Sequence, residues 1–176
     1  MAESFFPKPL LHQAEEVIER ARSRGVSIAS AESCTAGLVS GCLSEIAGAS
    51  DVLACGFVVY SNEAKERLLG VSSALLQAHG AVSKEVACAM ALGALEKGGV
   101  DIAVAVTGIA GPGGGTIGKP VGLVHFACTA RDGDVSHRER RFGDVGRHGV
   151  RLASVAEALD CSLEWNVVLS RVKVHG

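Results

Sequence analysis

The strongest constraint on the fold is an uninterrupted apolar run, Ile-Ala-Val-Ala-Val, at residues 102–106. Such a run is typical of a central strand that is covered on both faces, as in a sheet with helices on each side. Residues 108–120 follow it and are too rich in glycine for regular structure, so we expect a functional or disordered loop there. Residues 121–129 then predict another strand.

Predicted helices and strands alternate along the rest of the chain. Apolar residues at helical spacing predict a first helix that carries Leu10 to Ala21 and ends at Gly25, then a strand over 25–29 and a helix that opens near Thr35. Further strands are predicted over 52–60 and, more polar and at an edge of the sheet, over 135–142. Further helices are predicted over 63–69 after Ser61 or Asn62, around 75–76, from Ser83 to about 98, and over 150–163.

This order of elements predicts one α/β domain over residues 1–176, with three layers, α/β/α. The sheet is expected to be mostly parallel but mixed, with about five or six strands. Residues 1–8 and 166–176 are expected to be peripheral.

Composition argues against several classes of function. A net charge of −2 gives no general attraction to nucleic acid or to anionic membranes, and no apolar stretch is long enough to span a bilayer. The start of the chain has no apolar run of signal-peptide type, and six dispersed cysteines among apolar neighbours are typical of reduced core residues. We therefore expect a cytoplasmic protein. The six histidines are scattered, so no metal site and no cofactor is predicted.

The turn over residues 31–37, Ala-Glu-Ser-Cys-Thr-Ala-Gly, is the first candidate site. A strand that leads directly into a helix leaves unpaired N–H groups at the helix start, which suit an anion or a developing oxyanion. Ser33 stands at this turn between small neighbours, where its hydroxyl could be presented. The alternative, that Ser33 or Thr35 only caps the helix, is the commoner role for such residues.

Two phosphate-binding motifs are nearly matched at residues 113–120, Gly-Gly-Gly-Thr-Ile-Gly-Lys-Pro. A nucleoside-triphosphate loop needs Ser or Thr at the position of Pro120, and it must open a helix. A dinucleotide fingerprint, with Asp134 about twenty residues further on, also needs a helix after its glycines. Because a strand is predicted after this segment, we interpret both matches as coincidental.

Three stretches of the chain resemble the CinA C-terminal domain family, which includes stand-alone nicotinamide-mononucleotide amidases. They are residues 31–37, residues 56–65 (Gly-Phe-Val-Val-Tyr-Ser-Asn-Glu-Ala-Lys) and residues 107–112 (Thr-Gly-Ile-Ala-Gly-Pro). With shorter likenesses at 79–83 and 119–122, the resemblance covers about residues 10–164.

The resemblance implies hydrolysis of the carboxamide of nicotinamide mononucleotide to nicotinate mononucleotide and ammonia, with a serine and a lysine and without a metal. It implies Ser33 as the nucleophile, Lys65 as the base, and Tyr60 as a group that relays or orients the proton. A small pyridine nucleotide is then the partner, and assembly into a homo-oligomer is left open. The residues implied in substrate binding are Glu32, Cys34, Thr35, Asn62, Thr107, Gly108, Gly111 and Arg147.

The chemistry of the residues agrees with a serine and a lysine. A serine hydroxyl needs a base within hydrogen-bond reach, and Lys65 lies one helical turn after a strand that ends at Tyr60. If that strand neighbours the strand before Ser33, both open on the same edge of the sheet. The alternatives are a solvated Lys65, a Tyr60 that belongs to the core, and Cys34 as a competing thiol.

Two departures from the family pattern bear on the site. Ala36 stands where a second glycine is common, and Gly-Asp-Val-Gly-Arg at 143–147 places two extra residues between Asp144 and Arg147. Arg147 is therefore either the phosphate contact or an ordinary arginine on a helix surface. In the second case Arg151, Arg140 or Arg141 is the alternative contact. Two other functions stay open: a non-catalytic nucleotide-binding or regulatory module of the same fold, and a serine amidohydrolase that acts on another small amide.

Overall fold

The computed structural model describes residues 4–131 and 133–172, with side chains described as far as residue 164. The described strands are β1 (Ile28–Glu32), β2 (Leu53–Val58), β3 (Ile102–Gly108), β4 (Leu123–Ala130) and β5 (Ser136–Arg141). The described helices are α1 (Lys8–Arg24), α2 (Leu38–Ser44), α3 (Asn62–Leu69), α4 (Ser73–His79), α5 (Lys84–Gly98) and α6 (Gly146–Val172), with a short 3-10 turn at Ala49–Asp51 before β2.

The five strands form a single mixed sheet in the order β2-β1-β3-β4-β5. β1 pairs in parallel with both β2 and β3, whereas β4 pairs antiparallel with β3 and with β5. The α/β class with three layers is thus confirmed. The parallel pairings lie at one side of the sheet, and β5, the most polar strand, lies at the opposite edge as expected.

A layer of helices covers each face of the sheet. One core packs α1, α2 and α6 against the sheet through large side chains such as Ile18, Leu43 and Leu159. The other core packs α3, α4 and α5 against it through Leu69, Leu76 and Met90. β3 and β4 are buried almost throughout, which explains why the run at 102–106 carries no polar residue.

The first strand and the second helix begin three residues later than the sequence pattern predicted. β1 continues through Glu32, and α2 begins only at Leu38. Between them, Ala36 and Gly37 adopt left-handed backbone conformations, with φ of 51° and 94°. A right-handed helix cannot include such residues, so the turn after Ser33 is longer than predicted.

The first turns of α3 and α5 have the serine caps that the sequence indicated. The Ser61 hydroxyl accepts a hydrogen bond from the Ala64 N–H, and the Ser83 hydroxyl accepts one from the Val86 N–H. α3 then packs tightly on α5 at Gly93, where a Cβ atom would lie 2.1 Å from the carbonyl oxygen of Leu69. Only glycine permits this approach of the two helices.

Parts of both terminal segments are described by the structure. Phe6 is buried in the core and α1 begins at Lys8, while α6 continues to Val172. Residues 1–3 and 173–176 of the segments predicted to be peripheral lie outside the described residues. No described helix is long and apolar enough to cross a membrane. All six cysteines lie in the described part of the chain and are free thiols.

Candidate active site

Because β1, β2 and β3 run in parallel, their carboxyl ends lie together at one end of the sheet. This end carries Ser33, Lys65 and Thr107. Ser33 directly follows β1, Lys65 lies in α3 just after β2, and Thr107 lies near the end of β3. The strand that precedes Tyr60 neighbours the strand that precedes Ser33, as the sequence interpretation required. The carboxyl ends of parallel strands are where ligand sites form in α/β sheets.

The Lys65 amine lies 3.2 Å from the Ser33 hydroxyl oxygen. Its side chain is only 1% exposed, although lysines are almost never fully buried without a charged partner. Burial lowers the pKa of Lys65, and the nearby Cys34 and Glu63 oppose this shift only in part. The structure therefore brings a serine and a buried lysine together, as opposed to a solvated lysine on the helix surface.

The other contacts of the Lys65 amine are two backbone carbonyls. Its Nζ donates to the Val59 oxygen at 2.9 Å and to the Tyr60 oxygen at 3.4 Å. A neutral amine has two N–H donors and one lone pair, so it can satisfy both carbonyls and still accept the proton of the Ser33 hydroxyl. These three contacts satisfy either form of the amine, because the charged form donates to all three oxygens and the neutral form accepts from the Ser33 hydroxyl instead.

The Glu32 carboxylate occupies the start of α2. Its Oε2 accepts the N–H groups of Gly37 at 2.9 Å and Val39 at 3.0 Å, and its Oε1 accepts the Ser40 N–H at 2.9 Å. The Ser30 and Ser40 hydroxyls also donate to Oε1. Glu32 is completely buried. The helix start that the sequence offered to an anion is thus already occupied by this carboxylate, both of whose oxygens are hydrogen-bonded within the protein.

Two backbone N–H groups next to Ser33 lack an oxygen acceptor in the described part of the chain. The N–H of Ser33 itself donates to Val106, and that of Ala36 donates to the Ser33 carbonyl. The N–H groups of Cys34 and Thr35 have no oxygen acceptor among the described residues, and both lower the pKa of the Cys34 thiol by their proximity to its sulfur.

Cys34 is a poor rival to Ser33 as a nucleophile. Its thiol is buried, and burial raises its pKa to about 11, with the Glu32 charge adding to the shift. The charge of Arg151 opposes the shift without cancelling it. Because the thiolate is the reactive form, this raised pKa disfavours the Cys34 sulfur as a nucleophile near neutral pH.

The Tyr60 hydroxyl points to Arg147 rather than to the Lys65 amine. Arg147 Nη2 donates to the Tyr60 hydroxyl at 3.0 Å, and Arg147 Nη1 donates to the Gly111 carbonyl at 2.8 Å. Tyr60 is 57% exposed, which excludes a core role for its ring. The contact that Tyr60 makes with the Lys65 amine is through its backbone carbonyl. Arg147, the second residue of α6, thus connects that helix to the segment between β2 and α3 and to the glycine-rich loop despite the two extra residues.

The remaining residues of the predicted site differ in what they can offer a ligand. Thr107 is buried and donates its hydroxyl to the Ala81 carbonyl at 2.8 Å. Gly108 has a structural reason to be glycine, since a Cβ there would lie 2.7 Å from Val124 of β4. Asn62 is the exposed first residue of α3. Thr35 is completely buried, and its hydroxyl has no partner among the described residues.

The sequence offered Arg151 only as an alternative to Arg147 for the phosphate contact, and did not predict its contact with the turn after Ser33. Arg151 lies one turn after Arg147 in α6, and its Nη2 donates to the Thr35 carbonyl at 3.0 Å. The spacing of four between the two arginines was the available signal, since it places both on one face of a helix.

The glycine-rich loop is not a phosphate loop, as its sequence context predicted. A strand, β4, follows residues 113–120. The Lys119 amine donates to the His79 carbonyl at 2.6 Å, so the loop lysine is bound to the protein itself. In the part of the chain that the structure describes, no group of three or more His, Cys, Asp or Glu side chains is placed to hold a metal ion.

Residues 11–165 match the model of the CinA C-terminal domain family. The nicotinamide-nucleotide amidohydrolase PncC of Escherichia coli (strain K12) is 46% identical to this chain over 151 residues, which are 85% of this chain and 90% of that protein. The crystal structure of the competence/damage inducible protein CihA from Agrobacterium tumefaciens has a TM-score of 0.92 and 49% identity, and the match covers 93% of this chain and 99% of that chain.

Several other relatives are much longer than this chain. A CinA-like protein of Synechococcus sp. (strain RCC307) is 53% identical over 148 residues, which are 84% of this chain but 35% of that protein. The chain spans about a third of the length of that relative and still less of others, for example 26% of a CinA-like protein of Chlorobium luteolum. The Escherichia coli protein, in contrast, is matched over nearly its whole length.

Proposed function

The chain belongs to the CinA C-terminal domain family, and we propose that it is an amidohydrolase that converts nicotinamide mononucleotide to nicotinate mononucleotide and ammonia. The substrate is taken from the Escherichia coli relative, whose name states an action on nicotinamide nucleotide. We place this reaction in the cytoplasm, because six free thiols are typical of a reducing compartment.

The observation that carries the proposal is the environment of the Lys65 amine. It is buried 3.2 Å from the Ser33 hydroxyl, and its two other contacts are carbonyl oxygens rather than carboxylates. A protonated lysine in such a place has no carboxylate in hydrogen-bond contact, and burial lowers its pKa, so its environment favours loss of the proton. A neutral amine next to a serine is the arrangement that a general base requires.

The reaction then proceeds in two halves. Lys65 accepts the proton of the Ser33 hydroxyl while the serine oxygen attacks the carboxamide carbon, and the oxyanion that forms accepts the N–H groups of Cys34 and Thr35. Lys65 returns the proton to the amide nitrogen, the carbon–nitrogen bond breaks, and ammonia leaves behind an ester on Ser33. A water molecule attacks this ester with Lys65 again as base, and nicotinate mononucleotide leaves as the Ser33 oxygen regains its proton.

Arg147 binds the phosphate of the substrate in this proposal. Its guanidinium is exposed at the mouth of the site, where the Tyr60 hydroxyl and the Gly111 carbonyl hold it. A phosphate offers the paired oxygens that a guanidinium prefers, and it can displace the neutral tyrosine hydroxyl. Tyr60 then contributes to the substrate-binding surface, and its carbonyl orients the Lys65 amine.

Exchanging Lys65 for arginine tests the mechanism. Lys65→Arg keeps the positive charge, but arginine cannot be deprotonated in a protein and so cannot act as a base. We expect ammonia release from nicotinamide mononucleotide to fall by about a hundredfold or more, the usual scale of general-base catalysis. Ser33→Ala should abolish turnover and still bind the nucleotide. Lys97→Arg, at an exposed lysine of α5, is the matched control and should behave as wild type.

The outcomes separate the proposal from its alternatives. A Lys65→Arg enzyme within about tenfold of wild type would exclude Lys65 as the base, because a missing base costs more than that. A wild-type protein that binds the nucleotide without releasing ammonia would be a non-catalytic nucleotide-binding or regulatory module. A protein that neither binds nor cleaves this nucleotide would point to another small amide as the substrate.

A further inference from the structure

The turn that carries Ser33 is held from both sides by charged side chains. Glu32, from β1, accepts N–H groups of the turn and of the first residues of α2. Arg151, from α6, donates to the Thr35 carbonyl at 3.0 Å. The same carbonyl also accepts the Leu38 N–H at 3.3 Å. The carboxylate thus binds the donors of the turn, and the guanidinium binds one of its acceptors.

The backbone of the turn needs such support. Ala36 has a φ of 51°, a conformation that is unfavourable for a residue with a side chain. It lies directly after Thr35, so the peptide whose carbonyl Arg151 binds is also the peptide that enters this strained residue. Strained conformations persist only where the surrounding structure determines them.

The hydrogen bond of the Arg151 guanidinium goes to the turn, at the Thr35 carbonyl. The Arg151 Nε is buried and has no partner among the described residues, and the same is true of the Thr35 hydroxyl. Arg151 also lowers the pKa of the Cys34 thiol, which shows that its charge is felt at the residue next to Ser33. Arg147, four residues earlier, instead is exposed at the mouth of the site.

We propose that Arg151 is a positioning residue for the nucleophile: through the Thr35 carbonyl it fixes the turn that holds Ser33 at Lys65 and keeps the N–H groups of Cys34 and Thr35 in place for the oxyanion. This inference rests on the proposed amidohydrolase function. Arg151 touches no substrate in this arrangement. Its removal therefore lowers the rate of the chemical step and leaves the affinity for the nucleotide unchanged.

Two substitutions at this position test the proposal. Arg151→Met keeps a long side chain without donors, and we expect kcat to fall by about tenfold or more, the scale on which hydrogen bonds from charged groups act. KM, and the Kd for nicotinamide mononucleotide measured by calorimetry in a Ser33→Ala background, should stay within about twofold. Arg151→Lys keeps a cation with donors and should recover most of the lost kcat.

Arg131→Met is the matched control. Arg131 also donates to backbone carbonyls, those of Gly99 and Val100, at 3.0 and 3.2 Å. It follows β4, which is antiparallel to β3, and so lies at the end of the strands opposite to the site. We expect this variant to lose some thermal stability and to keep its kcat. A raised KM and Kd in Arg151→Met would show that Arg151 binds substrate, and an unchanged kcat would show that the bond to Thr35 has no role in catalysis. Either result overturns the proposal.

Covalent labelling of Ser33 by a fluorophosphonate separates this proposal from the proposed substrate. The probe reports how well the serine is activated and needs no physiological amide. If wild type fails to cleave the nucleotide but is labelled at Ser33, and Arg151→Met is labelled about tenfold more slowly, the substrate is wrong and the positioning role stands. Equal labelling of wild type and Arg151→Met would refute the positioning role, whatever the substrate.

Discussion

Replacing Glu32 by glutamine should lower the free energy of unfolding more than any substitution at an exposed position. The change itself is small, since an amide nitrogen replaces one carboxylate oxygen. One amide oxygen must serve in place of two carboxylate oxygens. If the amide oxygen takes the place of Oε2, it keeps the hydrogen bonds from the Gly37 and Val39 N–H groups. The amide nitrogen then replaces Oε1 and faces the Ser40 N–H, which bonds to Oε1 at 2.9 Å in the wild type. In the opposite orientation two backbone donors, those of Gly37 and Val39, face the amide nitrogen instead.

The magnitude follows from the better of these two orientations. One buried backbone donor without an acceptor costs about 1–3 kcal/mol, and two further bonds lose their charge, at about 1 kcal/mol each. We therefore expect Glu32→Gln to lose about 3–5 kcal/mol of unfolding free energy, a large share of the roughly 5–15 kcal/mol of a typical domain. Because the same bonds shape the turn that carries Ser33, turnover should fall even where the variant is fully folded.

Urea denaturation followed by circular dichroism measures this loss. Glu66→Gln, at an exposed position of α3, is the control and should stay within about 0.5 kcal/mol of wild type. A Glu32→Gln protein that loses less than about 1 kcal/mol would refute the reasoning, since it would mean that the three N–H groups do not depend on the carboxylate.

Three other predictions follow from the site. Arg147→Ala should raise KM for the phosphorylated substrate and affect kcat less in steady-state kinetics, since a phosphate contact acts equally on substrate and transition state. An unchanged KM would mean that the two extra residues have moved Arg147 away from the phosphate. Cys34→Ala should keep kcat within a few-fold of wild type, because a thiol with a pKa of about 11 is not the nucleophile; loss of turnover comparable to that of Ser33→Ala would contradict this. The value of kcat/KM should rise with pH as neutral Lys65 accumulates. The apparent pKa of this rise should lie below that of an ordinary lysine, because burial lowers the pKa of Lys65. A value of kcat/KM independent of pH from 5 to about 10 would argue against a lysine base. The same shift makes the unfolded chain bind the Lys65 proton more tightly, so this residue's contribution to stability improves as pH rises towards the ordinary lysine pKa.

Much of the fold followed from local pattern in the sequence. The run at 102–106, the glycine at the end of α1 and the serine caps of α3 and α5 act through neighbouring residues, and the structure confirms each of them. The sequence left open whether β2 lies beside β1, and the structure shows that it does. That pairing was sufficient to bring Lys65 to Ser33.

The details of the turn could not be predicted, because they depend on contacts between distant parts of the chain. Arg151 reaches Thr35 across 116 positions of sequence, and Arg147 reaches Tyr60 across 87. Nothing near Glu32 in the sequence distinguishes a buried cap from a residue that faces substrate. The left-handed conformation of Ala36 had one signal, the glycine that is common at this position in the family, but alanine itself rarely adopts it.

The close approach of α3 and α5 at Gly93 makes the reactive centre sensitive to a position in the hydrophobic interior. Leu69, whose carbonyl lies against Gly93, is one helical turn beyond Lys65, so any side chain at 93 would displace the segment that delivers the amine. A shift of less than 1 Å takes a contact of 3.2 Å beyond hydrogen-bond range while most of the core remains packed. The proposed chemistry can thus be lost through a residue of the α3–α5 contact, and any redesign of this domain is constrained at this glycine.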